Sequence, residues 1–368
     1  MSDPGGPRRV DALAVTAPGE MEVRPVEDRE LGPGMVRLDT EWSGVSMGTE
    51  QTWFRGTNPA LESSLDPELG LFVTGSPSQR YPVVAFGYMQ VGCVVATRCR
   101  WLAEGSRVAM TYGHRLGHTA DPLTERMVLI PKDLPARLGV LVAHLGPICA
   151  NGLLHAAADA TPAVGGLGDG VRGRVVVVTG AGFIGLVVAV WCRALGAAEV
   201  VVIDSSPERL AAAARLGATP LDHTDGDAAT VVKERFAHRR GDRGADVVFQ
   251  CRGRGSALHT ALRCLRPQGT VIDLAFYDGP GDDLRLGEEF HHNGLVLRCA
   301  QIARVPRGLD PAWDRERLSR ETLDLLAEHG PLIGEVVLTD DVAFADAPAL
   351  FAEVRDRRRH VIGAVLHP

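Results

Sequence analysis

Lysine is nearly missing from this chain. Lys132 and Lys233 are the only two in 368 residues, so arginine carries almost all of the positive charge. With abundant alanine and glycine, that bias reflects GC-rich codon usage and says nothing of activity. Basic blocks are missing too. Thirty-nine basic residues face 46 acidic ones, a net charge of −7, so a nucleic-acid partner is not expected. The seven cysteines (93, 99, 149, 192, 251, 264 and 299) contain no C-x-x-C. An odd count at this length argues against a disulfide framework and spells no tetrahedral zinc motif. Buried, reduced thiols in a cytoplasmic protein are the reading. The first nine residues, Met1 to Arg9, lack the apolar core of a secretion signal, and no leader is expected. One apolar run, 175–192, is long enough to raise the question of a membrane span. Gly180, Gly182 and Gly185 divide it into a short strand, a turn and the start of a helix, so no membrane partner is expected.

The length exceeds what one core holds comfortably, which favours two domains. Residues 10–150 show short β-like runs (10–15, 35–42, 91–96, 107–112, 125–130) between Gly/Pro turns, the pattern of a compact, mostly β domain. Residues 55–81 have little periodicity and read as a long surface excursion. Near residue 150 the character changes. Val-rich runs at 175–178 and 200–203 suit parallel strands buried on both faces, and strand-like runs recur at 245–250, 270–275 and 295–300. Helical stretches at 185–195, 207–216 and 256–265 alternate with them. The fold class is therefore α/β, with a doubly wound parallel sheet. A helix (315–329), a strand (334–338), a helix (345–355) and a closing strand (360–366) complete the chain.

Gly180-Ala181-Gly182-Phe183-Ile184-Gly185 follows the 175–179 strand and opens a helix, and Asp204 ends the next strand. Strand, glycines, helix, second strand and terminal acid in that order spell a dinucleotide site. Gly180 permits the tight turn, Gly182 lets backbone N–H groups of the Phe183-Ile184 turn approach a pyrophosphate, and Gly185 lets the helix pack close. The positive end of the helix faces the phosphates. Asp204 can accept both ribose hydroxyls and repels a 2′-phosphate, which favours NAD as cofactor. Arg209 is placed to soften that selection.

Beyond that site, the chain resembles the medium-chain dehydrogenase/reductase superfamily, the zinc alcohol dehydrogenase-like proteins, over nearly its whole length. The resemblance is carried by Tyr81-Pro82-Val83-Val84-Ala85-Phe86-Gly87, by Gly105-Ser106-Arg107-Val108, by the fingerprint, and by GAAEVVVIDSSPERLAAAARLGA from Gly196. The string SGVSMGTE (residues 43–50) and LRCAQIARVP followed by Trp313-Asp314 are similar to the branch containing bacteriochlorophyllide a dehydrogenase. The resemblance implies a GroES-like catalytic domain at 1–154, a Rossmann domain at 155–302 and a return to the catalytic domain at 303–368. It also implies NAD-linked chemistry at an alcohol or ketone carbon, and a homodimer paired through the strand near 295–300.

The chain departs from that family where metal should sit. Met47, or Ser46 with a one-residue slip, stands at the first zinc ligand, and Gly87-Tyr88-Met89 stands where G-H-E is expected. Cys149 alone remains near the third ligand position, and the four-Cys structural lobe is missing. No metal is expected. A carbonyl oxygen gaining negative charge then needs another donor. By resemblance Tyr88 points at that oxygen, Glu50 orients the group at the Tyr88 position, and Thr49 matches the hydroxyl that relays a proton. His114 and His118 are the next candidates. His144, Asn151 and His155, where the domains should join, rank lower, and His291-His292 mark a loop. The expectation is a zinc-independent NAD(H)-dependent dehydrogenase or ketoreductase. Reduction of a conjugated C=C bond, or a non-catalytic cofactor-binding scaffold, are the alternatives.

Overall fold

The computed structural model describes residues 6–368, so the first part of the N-terminal stretch weighed as a leader lies outside the described residues. The chain forms two compact units, residues 6–144 with Leu338–Pro368, and Leu145–Val337. These boundaries differ from the 154 and 302 that the resemblance implies. The helix Leu145–Ala160 packs against the helices Phe183–Ala194 and Arg315–Val336 and the strand Leu265–Asp273, and so belongs to the second unit.

In the first unit a seven-stranded sheet is built around the strand Val36–Val45. Gln90–Thr97 and Gly117–Ala120 pair with it antiparallel, and so does the C-terminal strand Gly363–His367, with Leu366 opposite Ser43. A three-stranded sheet carries the hairpin Arg8–Ala17/Glu20–Asp28. The core between them holds Leu13, Val45, Phe54, Phe86, Phe351 and Leu366. The expected surface excursion is more ordered than its sequence suggests: a short 3-10 turn at Pro59–Leu61 leads into the hairpin Ser63–Leu65/Phe72–Thr74.

The second unit is a six-stranded parallel sheet. Its order is Thr219–Asp222, Glu199–Asp204, Val175–Thr179, Ala245–Gln250, Leu265–Asp273, Val296–Cys299, the doubly wound arrangement with its reversal beside Val175–Thr179. The long apolar run is the central strand plus the helix Phe183–Ala194, buried from Gly185 to Cys192. Among the described residues no helix is long and apolar enough to cross a membrane. One expected strand, 334–338, is instead the end of the helix Arg315–Val336. Leu318, Thr322, Leu326, Ile333 and Val336 recur at helical spacing and are all buried, so packing continues the helix past Pro331. The strand begins later, at Leu338–Ala343.

Candidate active site and cofactor site

At the carboxyl end of the central strand the backbone turns at Gly180 (φ +96°) into the fingerprint helix. Gly185 is where the helix meets the turn: a Cβ there would lie 1.9 Å from the Gly180 carbonyl oxygen, so any larger residue drives the two apart. Gly182 caps the helix without a side-chain hydrogen bond, and the first helical turn holds no acid. Its N–H groups are therefore not engaged by a capping side chain and suit an anion. Phe183, the first helical residue, is buried, and the Ile184 carbonyl accepts the Cys149 thiol at 3.8 Å.

Asp204 sits beside that turn and is 4% exposed. Its Oδ2 accepts the Ala181 N–H at 2.8 Å, and its Oδ1 accepts those of Ser205 at 2.8 Å and Ser206 at 3.0 Å. Burial would raise this carboxyl, but the three N–H donors and the nearby Arg209 charge outweigh it and hold the group below its ordinary value. A carboxylate offers about four acceptor positions. Three are occupied, so the expected grip on two ribose hydroxyls narrows to one. Arg209 donates its own N–H to Ser206 Oγ at 3.3 Å.

The polar cluster of the first unit grows from one strand end. Val36–Val45 delivers Ser43, and Ser46 caps the helix Met47–Arg55, whose first turn carries Glu50. Glu50 Oε1 accepts the Ser46 N–H at 3.0 Å, which suits a carboxylate at a helix start. Its Oε2 lies 2.9 Å from His114 Nε2, and His114 Nδ1 lies 2.7 Å from Ser43 Oγ. Gln90 Nε2 donates to Ser43 Oγ at 3.1 Å and closes the network. His114, Gln90, Ser43 and Glu50 are at most 1% exposed. The Ser46 hydroxyl is not used to cap its own helix. It accepts the Tyr88 phenol at 2.5 Å. Burial, then the Glu50 charge, push the Tyr88 pKa up to about 12, while the Ser46 and Thr49 hydroxyls pull the other way.

The structure thus brings Tyr88, Ser46, Thr49, Glu50 and His114 together, with two revisions. Glu50 is bonded to His114 and not to Tyr88, and both His114 nitrogens are engaged, which makes His114 a positioning group. The His144 ring, ranked low from sequence, stands 4.5 Å from the Tyr88 ring. His118 does not join. It lies in the strand Gly117–Ala120, stacks on Tyr112 at 4.8 Å and meets Glu125 at 2.6 Å, with burial lowering its pKa against the pull of Glu125. Asn151 Nδ2 and His155 Nε2 are held by the backbone carbonyls of residues 300–304, a structural role in the second unit. His292 Nδ1 meets the Glu288 carbonyl at 3.1 Å.

Sequence reasoning missed a chain of side chains at the carboxyl edge of the parallel sheet. Thr179 donates to Gln250, Gln250 Nε2 donates to Tyr277 Oη at 3.2 Å, and that phenol donates to Asp273 Oδ2 at 3.0 Å. Burial raises the Asp273 carboxyl and, with the Asp273 charge, the Tyr277 phenol. The legible signal was a polar residue ending each apolar strand.

The donors at the family's metal positions do not suit zinc. Met47 offers a thioether, and Ser46 Oγ already accepts a hydrogen bond from the Tyr88 phenol. Burial, reinforced by Cys251 and Cys192, holds the Cys149 thiol well above its ordinary value. Among the described residues, the three metal-capable side chains within ligand reach of one another are His259, Glu288 and Glu289, all in the second unit.

Comparison with known proteins agrees with this architecture. The family described as Zinc-binding dehydrogenase matches residues 184–315. The D-guloside 3-dehydrogenase of Escherichia coli K12 is 27% identical over 350 residues, 94% of this chain and 96% of the relative. The 2-haloacrylate reductase of a Burkholderia species is 30% identical over 274 residues, 72% of each. The crystal structure of 2R,3R-butanediol dehydrogenase from Bacillus subtilis superimposes with a TM-score of 0.72 at 19% identity, covering 98% of this chain and 99% of that one. The chain belongs to the zinc-binding dehydrogenase family of the medium-chain dehydrogenase/reductase superfamily. It is an oxidoreductase of the alcohol dehydrogenase type.

Proposed function

We propose that this chain is a zinc-independent, NAD(H)-dependent oxidoreductase that moves a hydride to or from a secondary alcohol or ketone carbon of a cyclic, sugar-sized substrate. The observation that carries the reading is Tyr88, a phenol kept protonated at the position where the family's zinc ligand would face the substrate oxygen, and bonded there to Ser46. The cofactor supplies or accepts the hydride when bound. The fingerprint turn holds its pyrophosphate, and the remaining acceptor position of Asp204 suits one ribose hydroxyl, which supports NAD. During reduction Tyr88 gives its proton to the developing alkoxide, and Ser46 and Thr49 orient the phenol. Glu50, locked to His114, fixes the helix start that carries Ser46. The name of the near-full-length relative, a D-guloside 3-dehydrogenase, supports a secondary alcohol on a sugar ring.

Reduction of a conjugated C=C bond is the second reading, favoured by the 2-haloacrylate reductase among the relatives. The edge strand Val296–Cys299, with Val296 and Leu297 38% and 39% exposed, supports the expected dimer, and seven free thiols support the cytoplasm. The test is a panel of glycosides, cyclic polyols, their keto forms and 2-enoates with NADH, NAD and their phosphorylated forms, alongside metal analysis. Turnover of a secondary alcohol or ketone with NAD(H), at far less than one zinc per chain, is expected. Stoichiometric zinc whose removal ends turnover, or activity confined to enoates, overturns the reading.

A further inference from the structure

We infer that Arg252 is a second, cationic contact for the cofactor's diphosphate, so that the phosphates are held by a guanidinium as well as by the fingerprint turn. The inference rests on the dinucleotide reading of that turn. It starts from the register of two neighbouring parallel strands. Val175–Thr179 and Ala245–Gln250 end level, with Thr179 opposite Gln250, and the Cys251 N–H still donates to the Thr179 carbonyl at 2.9 Å. One residue further, Gly180 turns into the fingerprint and Arg252 leaves its strand beside it. A Cβ on Gly180 would meet the Arg252 Cβ at 3.0 Å and its backbone nitrogen at 3.3 Å, so the root of the Arg252 side chain lies against the turn itself.

The backbone of Arg252 is fixed on both sides. Its carbonyl accepts Gln250 Nε2 at 2.8 Å and the Arg254 N–H at 2.6 Å, and its N–H points at Gln250 Oε1 at 3.4 Å. The side chain is exposed and, among the described residues, makes no hydrogen bond or ion pair. Of the charged groups nearest the turn, Asp204 is held by three N–H groups and Arg209 acts on Asp204, while Arg254, two residues on, is exposed like Arg252 but is not rooted against Gly180. A guanidinium rooted at a pyrophosphate turn with no partner of its own matches the planar, bidentate geometry of phosphate oxygens. The fingerprint helix has neither a side-chain cap nor a first-turn acid to compete for that anion. The sequence fingerprint cannot show this residue, because it lies 72 positions beyond Gly180 and reaches the turn only through strand register.

The test compares the parent, Arg252→Ala and Arg252→Lys by titration with NADH, NADPH, ADP-ribose and adenosine, with thermal unfolding as the folding control. Arg252→Ala is expected to weaken NADH, NADPH and ADP-ribose alike by ~10-fold, and to leave adenosine, which has no phosphate, unchanged. The lysine variant should fall between, since charge without the fork replaces only part of the contact. The gap between parent and alanine variant should shrink as salt is raised. Parental affinity for NADH and ADP-ribose in Arg252→Ala overturns the inference, as does a loss confined to NADPH, which would make Arg252 a reader of a 2′-phosphate. If the parent protein binds none of the dinucleotides, the reading of the turn falls and this inference with it.

Discussion

Replacing Tyr88 by phenylalanine tests the proposed chemistry at the atom where it acts. The phenol donates to Ser46 Oγ at 2.5 Å, and burial with the Glu50 charge pushes its pKa up to about 12. At pH 7 only about one molecule in 10⁵ then carries the phenolate, so the donor is loaded throughout the neutral range. Tyr88→Phe keeps the ring against His144 and removes one hydroxyl, so folding at neutral pH should weaken by no more than roughly 1 kcal/mol. Activity should suffer far more, since loss of a general acid lowers kcat by about 10²–10⁴-fold. NADH affinity should stay at the parental value, because every residue of the fingerprint site lies elsewhere in the chain. The pH dependence carries a second signature. A phenol whose folded pKa lies above its unfolded value of 10 contributes stability that is complete below pH 10 and is lost as pH rises towards 12. A rise from 10 to about 12 corresponds to roughly 3 kcal/mol. The parent should lose that much more stability than Tyr88→Phe across this window, and the pH profile for ketone reduction should show no Tyr88 limb below pH 10. Steady-state kinetics on the substrate found in the panel, NADH titration and alkaline denaturation of both proteins measure the three quantities. A phenylalanine variant that turns over at the parental rate refutes the role of the phenol, whatever its stability.

The division into a β unit and a parallel α/β unit was legible because short β-like runs between Gly/Pro turns, continuous Val-rich strands and the glycine fingerprint are local signals. The cofactor turn was legible for the same reason, since Gly180 to Gly185 form one contiguous string. What escaped depended on residues that only the fold brings together. Glu50 finds His114, 64 positions away, and Ser46 meets Tyr88 across 42. Family matching placed Tyr88, Thr49 and Glu50 in one neighbourhood but assigned Glu50 the wrong partner, since no local pattern tells a carboxylate which ring will reach it. His114 and His118 looked equivalent as a pair four apart. In the structure, His118 lies within a strand and His114 just before it, so the two rings serve different networks. The late strand failed for another reason. Its Val336-Val337-Leu338 run reads locally as a short β-branched strand, but burial along Arg315–Val336 follows the helical period, and tertiary packing decided the matter.

Two further outcomes follow from the hydrogen-bond networks. Asp204 retains one acceptor position for ribose, and a charged acceptor there contributes roughly 1.5–3 kcal/mol, so NADH should bind about 10- to 100-fold more tightly than NADPH. Asp204→Asn keeps one oxygen for the Ser205 and Ser206 N–H groups, sets its NH₂ against the Ala181 N–H and removes the charge, and should narrow that ratio in paired titrations. Equal affinities in the parent would show that the strand-end acid does not select the cofactor. The last outcome concerns Glu50. Its two oxygens serve the Ser46 N–H at 3.0 Å and His114 Nε2 at 2.9 Å, with 1% and 0% of the two side chains exposed. Glu50→Ala strands two polar groups where water cannot replace the lost partner, each at roughly 1–3 kcal/mol. Glu50→Gln can keep both contacts, since its amide oxygen accepts from Ser46 while its NH₂ donates to His114. For a unit of this size each kcal/mol moves the midpoint by about 2–4 °C. Glu50→Ala should therefore melt about 5–20 °C below the parent, and Glu50→Gln should recover most of the difference. If the alanine variant melts with the parent, the Glu50–His114 contact does not fix the helix start, and the placement of Ser46 beneath Tyr88 must come from the sheet alone.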